Sequence, residues 1–148
     1  MPSFSKRSLD SLAQSHPLLQ KLHTEAIKEF DYVVTDSRRG RIEQERAFAG
    51  GFSKVHFGDS AHNYSPAIAN DCYPAPIPKN MNTKAYRARL YAMQEVFRRV
   101  AARLGIKIRQ GVDFNQDGNL ANDKFVDLPH IELTPWREYA KKSKLFEG

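Results

Sequence analysis

The segment SAHNYSPAIAND, residues 60–71, places a histidine and an aspartate on either side of a proline. In a helix, the spacing between His62 and Asp71 would put them on nearly opposite faces, and Pro66 disfavours a continuous helix between them. A loop leading into a short strand at residues 67–72 would instead let both side chains face one point. Taken alone, the segment fits two interpretations: part of a metal site, or a polar surface loop.

A second histidine near a carboxylate occurs in VDLPHIEL, residues 126–133. Pro129 favours an extended backbone in the residue before it, so we expect a strand over residues 130–133. Side chains alternate across a strand, which places His130 and Glu132 together on one face. This face is then available for a site, while the apolar face anchors the strand.

Two histidines and one aspartate around Zn²⁺, with water in the fourth position, would form an open catalytic site. His62, Asp71 and His130 are the candidate ligands. Asp127, three residues before His130, is then left to take a proton from that water. Spacing alone does not establish this site, because such pairs also arise by chance.

Apolar residues at helical spacing predict a helix from Pro17 to residue 30 and another from Thr83 to residue 104, with Gly105 as its stop signal. RIEQERAFA predicts a third helix, and short strands are expected at residues 32–34, 106–108 and 130–133. This mixture predicts a small single α+β domain over residues 1–148, with an antiparallel sheet flanked by helices. No separate cell-wall-binding domain is expected.

The composition narrows the classes of protein. The chain has 148 residues, 41% of them hydrophobic, which suits one domain. Cys72 is the only cysteine, so an intrachain disulfide and a cysteine-based zinc site are both excluded. A mean hydropathy of −0.61 and the lack of a long apolar run argue against a membrane span. The net charge of +6 favours an anionic partner, but no nucleic-acid motif accompanies the dispersed basic residues.

The segment GVDFNQDGN, residues 111–119, matches the first half of a calcium-binding loop at Asp113, Asn115 and Asp117. The twelfth position of such a loop needs a bidentate glutamate, but this chain has Lys124 there. A turn-rich rim and a weak regulatory Ca²⁺ site are the two interpretations.

Three motifs together resemble a known family. Ser60, His62, Ala69 and Asp71 meet the pattern Ser-x-His, spacer, Ala-x-Asp, which resembles the zinc-binding motif of the D-alanyl-D-alanine carboxypeptidase and L-alanyl-D-glutamate endopeptidase family. DLPHIEL supplies the acidic residue three positions before a histidine. SRRGRIEQ resembles the upstream Gly-x-Arg-Thr and Glu-Gln segment, with Arg39 at the arginine position.

This resemblance implies a hedgehog/D-Ala-D-Ala peptidase-like fold with His62, Asp71 and His130 as zinc ligands. It implies that Asp127 is the general base and that Arg39 stabilises an oxyanion or holds a substrate carboxylate. Ser60 and Gln44 are implied as supporting or substrate-binding residues. Arg38 and Arg41 flank Arg39 in sequence, so a plain surface arginine is the competing interpretation of that position.

The longer spacer HNYSPAIAND resembles the branch of phage endolysins, which implies cleavage of the L-Ala-D-Glu bond in the peptidoglycan stem peptide. A D-alanyl-D-alanine carboxypeptidase is the alternative, and a non-catalytic basic wall- or nucleic-acid-binding module is the alternative of another class. We expect a monomer without stable membrane association. It would be made in the host cytoplasm and reach the periplasmic peptidoglycan through a holin.

Overall fold

The computed structural model describes residues 2–111 and 127–148. Helices and strands are mixed along the chain, which confirms the α+β fold class. They are α1 (Lys6–Ala13), α2 (Pro17–Ala26), β1 (Tyr32–Asp36), α3 (Arg41–Ala49), a 3₁₀ turn (Ala61–Asn63), β2 (Tyr64–Ser65), β3 (Ala69–Pro74), α4 (Lys84–Leu104), β4 (Ile108–Gln110), β5 (His130–Leu133), α5 (Trp136–Ala140) and β6 (Lys144–Leu145). Within the described ranges, every helix is too short or too polar to cross a bilayer.

The central sheet has four antiparallel strands in the order β1-β3-β5-β4. Strand β3 runs between β1 and β5, and its Asp71 lies directly opposite His130. Helix α1 packs against β1, α4 packs against β3 and β4, and α2 packs against α4. Strands β2 and β6 form a separate two-stranded sheet.

The two faces of the central sheet differ in chemistry, as the alternation along β5 shows. Ile131 and Leu133 are fully buried and belong to the same core as Phe97 of α4. His130 and Glu132 of the same strand line an open cleft. One face of the sheet therefore builds the core, and the other builds the wall of the cleft.

Near the end of strand β1, the face of the sheet to which its side chains point changes. Its register against β3 shifts between Val34 and Asp36, as at a β-bulge. Val34 is fully buried in the core, whereas Asp36 lines the cleft. An extra residue on one strand re-aims the side chains that follow it, so the bulge brings a carboxylate to the cleft side.

The long helix α4 has the predicted ends. The Thr83 hydroxyl accepts a hydrogen bond from the backbone N–H of Tyr86, and Gly105 follows the last turn with a φ of 70°. This left-handed conformation favours glycine because a side chain would strain it. Helix α2 begins at Pro17 as predicted but ends at Ala26, since Lys28 and Glu29 donate shorter-range turn bonds instead.

Two predicted strands are shifted in the structure. Strand β3 begins at Ala69 rather than at residue 67, because Ala67 donates its N–H to Gln14 and pairs outside the sheet. Strand β4 begins at Ile108 rather than at residue 106. The N–H of Ile106 donates to the carbonyl of Ala101 and closes helix α4, so it is not available to the sheet.

Phe97 tests how far the core depends on α4, because its ring is fully buried and lies 5.0 Å from the ring of Tyr32. We expect Phe97→Ala to lower the free energy of unfolding by about 3–5 kcal/mol, through lost burial and the cavity left behind. Urea unfolding followed by circular dichroism measures this. Phe52→Ala is the matched control, since Phe52 is 91% exposed and its loss should change stability by less than about 0.5 kcal/mol.

Candidate metal centre and active site

His62 lies in the 3₁₀ turn, and its position is set by the residues that cap the turn. The Ser60 hydroxyl accepts a hydrogen bond of 3.2 Å from the backbone N–H of His62. The Asn63 side-chain oxygen accepts from the backbone N–H of Ser60, which completes a capping box. Ser60 thus acts on the backbone of the candidate ligand rather than on its ring.

Asp71 and His130 reach the same place through strand pairing, since they are opposite each other on β3 and β5. His62 Nε2 lies 3.3 Å from His130 Nδ1 and 3.4 Å from Asp71 Oδ1, and the third side of this triangle, between His130 Nδ1 and Asp71 Oδ1, is 3.5 Å. All three residues are buried. The sequence therefore predicted the grouping of three residues that the structure brings together.

The size of this triangle fits one small ion. Four ligands at about 2.0–2.1 Å from the centre of a tetrahedron lie about 3.3–3.4 Å from one another. The buried oxygen Asp71 Oδ1 makes no hydrogen bond of good geometry to any described residue. A buried carboxylate oxygen without a donor is costly unless something else compensates it, and a cation among these three atoms would do so.

A hydrogen bond at Nδ1 of His62 determines that its Nε2 is the nitrogen that faces Asp71 and His130. His62 Nδ1 lies 2.8 Å from the carbonyl oxygen of Ser37. A carbonyl only accepts hydrogen bonds, so Nδ1 carries the proton and Nε2 presents its lone pair. Ser37 itself belongs to a buried polar cluster, in which its hydroxyl accepts from Asn70 at 2.8 Å.

The charges within the group shift two pKa values in opposite directions. Burial alone would raise the pKa of Asp71, but the neighbouring imidazoles of His62 and His130 outweigh burial and hold it well below its usual range. Burial alone would lower the pKa of His130, but Asp71 and Glu132 raise it to about 10. Without a metal, His130 therefore carries a proton and a positive charge at neutral pH, next to Asp71 and Glu132.

Asp127 lies beside this group, in the turn that enters β5. Its N–H donates to the carbonyl of Gly111 at 2.8 Å, and its own carbonyl accepts from the N–H of His130 at 3.0 Å. It lines the same cleft as the three candidate ligands. Burial raises the pKa of Asp127 above its ordinary value, against the opposing charge of His130. A carboxylate with a raised pKa is suited to proton transfer.

Arg39 also faces the cleft. Its Nη2 lies 3.7 Å from Asp71 Oδ2, and its Nη1 donates to Gln44 Oε1 at 3.1 Å. Gln44 is fully buried and donates in turn to Ser53 and to the carbonyl of Val55. These bonds fix the amide of Gln44, whose oxygen then holds the guanidinium of Arg39. The structure places Gln44 as a support for Arg39.

The neighbouring arginines point elsewhere. The guanidinium of Arg38 lies 4.4 Å from the centre of the Phe146 ring, and Arg41 makes a two-point ion pair with Glu147. Of the three arginines in SRRGRIEQ, Arg39 is therefore the one that lines the cleft.

Sequence reasoning missed several residues that line the cleft, including Asp36, Tyr73, Arg109 and Trp136. Arg109 lies opposite Glu132 in the β4–β5 register, which only the strand pairing reveals. Asp36 reaches the cleft only because of the bulge in β1, which the sequence does not reveal. The predicted calcium residues Asp113, Asn115 and Asp117 lie outside the described residues.

A buried pair of histidines with an aspartate, open to a cleft and flanked by a second carboxylate and an arginine, is typical of hydrolytic metal enzymes. The sequence matches the model of the family described as phage L-alanyl-D-glutamate peptidase over residues 2–134, and the chain belongs to that family. It is therefore a peptidase of the L-alanyl–D-glutamate bond, which confirms the endopeptidase prediction.

The fold is similar to that of a solved structure, the Serratia marcescens L-Ala D-Glu endopeptidase ChiX. The TM-score is 0.68, with 22% sequence identity, and the match covers 94% of this chain and 95% of that chain. At this identity the likeness establishes a shared fold. No curated protein sequence matches the chain.

A substitution at Gly111 tests whether the position of Asp127 matters for catalysis. A Cβ atom at Gly111 would lie 1.9 Å from the carbonyl oxygen of Asp127 and 3.0 Å from His130 Cβ, so the turn before β5 would have to move. We expect Gly111→Ala to lower kcat for peptidoglycan about 100-fold, because small displacements of a reacting group are costly.

Gly50→Ala is the control for this prediction. A Cβ at Gly50 would meet chiefly the exposed ring of Phe52, at 3.0 Å, and that ring can move. Turnover measured on purified peptidoglycan compares the two variants. An unchanged kcat in Gly111→Ala would show that the close approach does not position Asp127.

The stability of the metal-free protein should fall at alkaline pH. The folded chain holds the His130 proton more tightly than the unfolded chain, because the pKa is raised from 6.5 to about 10. This stabilisation is complete below about pH 6.5 and is lost as the pH rises through 10. Asp71 acts in the opposite sense: its lowered pKa stabilises the fold above about pH 4, and that contribution is lost on acidification.

Thermal unfolding in the presence of a chelator, from about pH 5 to pH 10, measures the alkaline effect. We expect Tm to decline over the upper half of this range, and the decline to be smaller in His130→Gln. An equal decline in the variant would assign the effect to other groups.

Proposed function

We propose that the chain is a zinc-dependent endopeptidase in which His62, Asp71 and His130 hold the metal. Family membership supplies the reaction, hydrolysis of the L-alanyl–D-glutamate bond of peptidoglycan. The zinc assignment is supported by the triangle of ligand atoms, whose sides of 3.3, 3.4 and 3.5 Å fit one tetrahedral ion. Two imidazoles and one carboxylate also leave a fourth position for water, as catalytic zinc sites do.

The proposed mechanism divides the work between the metal and Asp127. Bound Zn²⁺ would polarise the scissile carbonyl and make a nearby water more acidic. Asp127 accepts a proton from that water and later donates it to the leaving amine. The raised pKa of Asp127 helps both steps, because a carboxylate with a pKa nearer the working pH accepts and releases a proton more evenly.

Arg39 is assigned to the substrate. Its planar guanidinium can stabilise negative charge on the scissile carbonyl oxygen or bind a free carboxylate of the stem peptide. The bond to Gln44 Oε1 and the approach to Asp71 Oδ2 hold it at the edge of the metal group. Ser60 contributes by fixing the turn that carries His62.

The charge of the chain and the location of the substrate describe where the enzyme would act. Peptidoglycan stem peptides carry free carboxylates, and a chain with a net charge of +6 is attracted to such a polymer. In a phage, the enzyme is made in the host cytoplasm and reaches the wall when a holin opens the inner membrane. We propose that it acts there as a monomer.

The test is to digest purified peptidoglycan and identify the new peptide termini by mass spectrometry. We expect new N-terminal D-glutamate, its loss when the enzyme is treated with a strong chelator, and its return on addition of Zn²⁺. Release of D-alanine would instead indicate a carboxypeptidase. Undiminished cleavage by the metal-depleted enzyme would rule out zinc dependence.

Asp127→Ala separates metal binding from proton transfer. We expect it to retain about one zinc ion per chain by elemental analysis while losing about 10²–10⁴-fold in kcat. Asp10→Ala is the matched control, because the Asp10 side chain is 65% exposed on α1 and pairs only with Lys6 among the described contacts. Lysis by Asp127→Ala at the wild-type rate would remove Asp127 from the mechanism.

A further inference from the structure

Glu132 is a buried carboxylate that the proposed mechanism does not use. It lies two residues after His130 on β5, on the same face, and only 4% of its surface is exposed. Its Oε1 atom is 2.7 Å from His130 Nε2. A carboxylate is buried this deeply only when charged partners or hydrogen bonds compensate it.

The contact with Glu132 determines how His130 meets a metal. The nitrogen of His130 that points to His62 and Asp71 is Nδ1, at 3.3 and 3.5 Å. A carboxylate accepts a hydrogen bond from Nε2–H, so the proton stays on Nε2 and Nδ1 keeps its lone pair for the ion. Because Glu132 binds the opposite side of the ring from the ligand triangle, it does not compete for the metal.

Arg109 keeps Glu132 in place. The two residues are paired across β4 and β5, and Arg109 Nη2 lies 3.1 Å from Glu132 Oε2. On the other side of β5, the partner of Glu132 is the small residue Ala69. The carboxylate is thus held between a cation and the imidazole, and a single strand face carries both His130 and its partner.

The two histidines are supported unequally. His62 donates its outer N–H to the neutral carbonyl of Ser37, whereas His130 faces the charged carboxylate of Glu132. A carboxylate makes an imidazole more basic than a carbonyl does, so His130 should be the stronger donor to the metal.

We infer that Glu132 is a positioning residue for the metal centre: it fixes His130 as an Nδ1 ligand and strengthens that ligand, while Arg109 fixes Glu132. This inference rests on the proposed function, since it assumes that a metal binds the triangle. It assigns Glu132 no contact with the substrate or the metal.

The test compares zinc affinities by competition with a chromophoric chelator. Glu132→Gln keeps the size and an acceptor oxygen but loses the charge, and we expect about tenfold weaker zinc binding. Glu132→Met also loses the acceptor, and we expect about 100-fold weaker binding. Glu138→Gln is the matched control, because its side chain is 62% exposed on α5, and its affinity should equal that of the wild type.

A measurement on the wild-type protein keeps the inference testable if a Glu132 variant fails to fold. Long-range ¹⁵N–¹H correlation spectra of the zinc-loaded protein report which ring nitrogen of each histidine is protonated. We expect a proton on Nε2 of His130 and on Nδ1 of His62. The opposite assignment at His130 would overturn the inference.

The outcomes also distinguish the two proposals. If the wild-type chain takes up no zinc, the proposed function fails. If the wild type binds zinc and folded Glu132→Met binds it equally well, the proposed function stands and the positioning role of Glu132 is wrong. A drop in affinity with unchanged urea stability of the metal-free variant shows that the effect belongs to the site rather than to the fold.

Discussion

The pairing of β3 with β5 is the constraint on which the site depends. It sets Asp71 opposite His130, although the two residues are far apart in the chain. Side chains alternate along a strand, so a slip of β5 by one residue would turn His130 toward the core and Ile131 toward the cleft. Ile131 and Leu133 prevent that slip because they are fully buried on the other face. Burial of the apolar half of β5 therefore determines where its polar half can act.

The parts of the molecule that were predictable are those whose signal is local. The ends of α4 follow from Thr83 and Gly105, and the polar face of β5 follows from Pro129 and the alternation after it. Helices α1 and α5 have only eight and five residues, and β2 and β6 have two residues each. Such elements form because distant segments pack against them, and a single sequence does not display those partners.

The residues of the candidate site show the same difference between local signals and contacts that only the fold creates. His62, Asp71, His130 and Asp127 were singled out through the family resemblance of the motifs that carry them, and the structure brings all four to one cleft. The strand register that joins those motifs was not predictable. The resemblance of SRRGRIEQ to the family segment placed Arg39 at the arginine position, and the structure brings Arg39 to the cleft. The sequence did not show why Arg38 and Arg41 stay outside the cleft, because their partners Phe146 and Glu147 lie at the other end of the chain.

The bonds around Gly111 have a consequence for the site as a whole. Gly111 donates to the carbonyl of His130, and its own carbonyl accepts the N–H of Asp127. The same pair of bonds joins the backbone of Asp127 to that of His130 through Gly111, so the two residues are positioned together. A substitution that breaks these bonds would therefore displace a cleft carboxylate and one of the three clustered side chains at the same time.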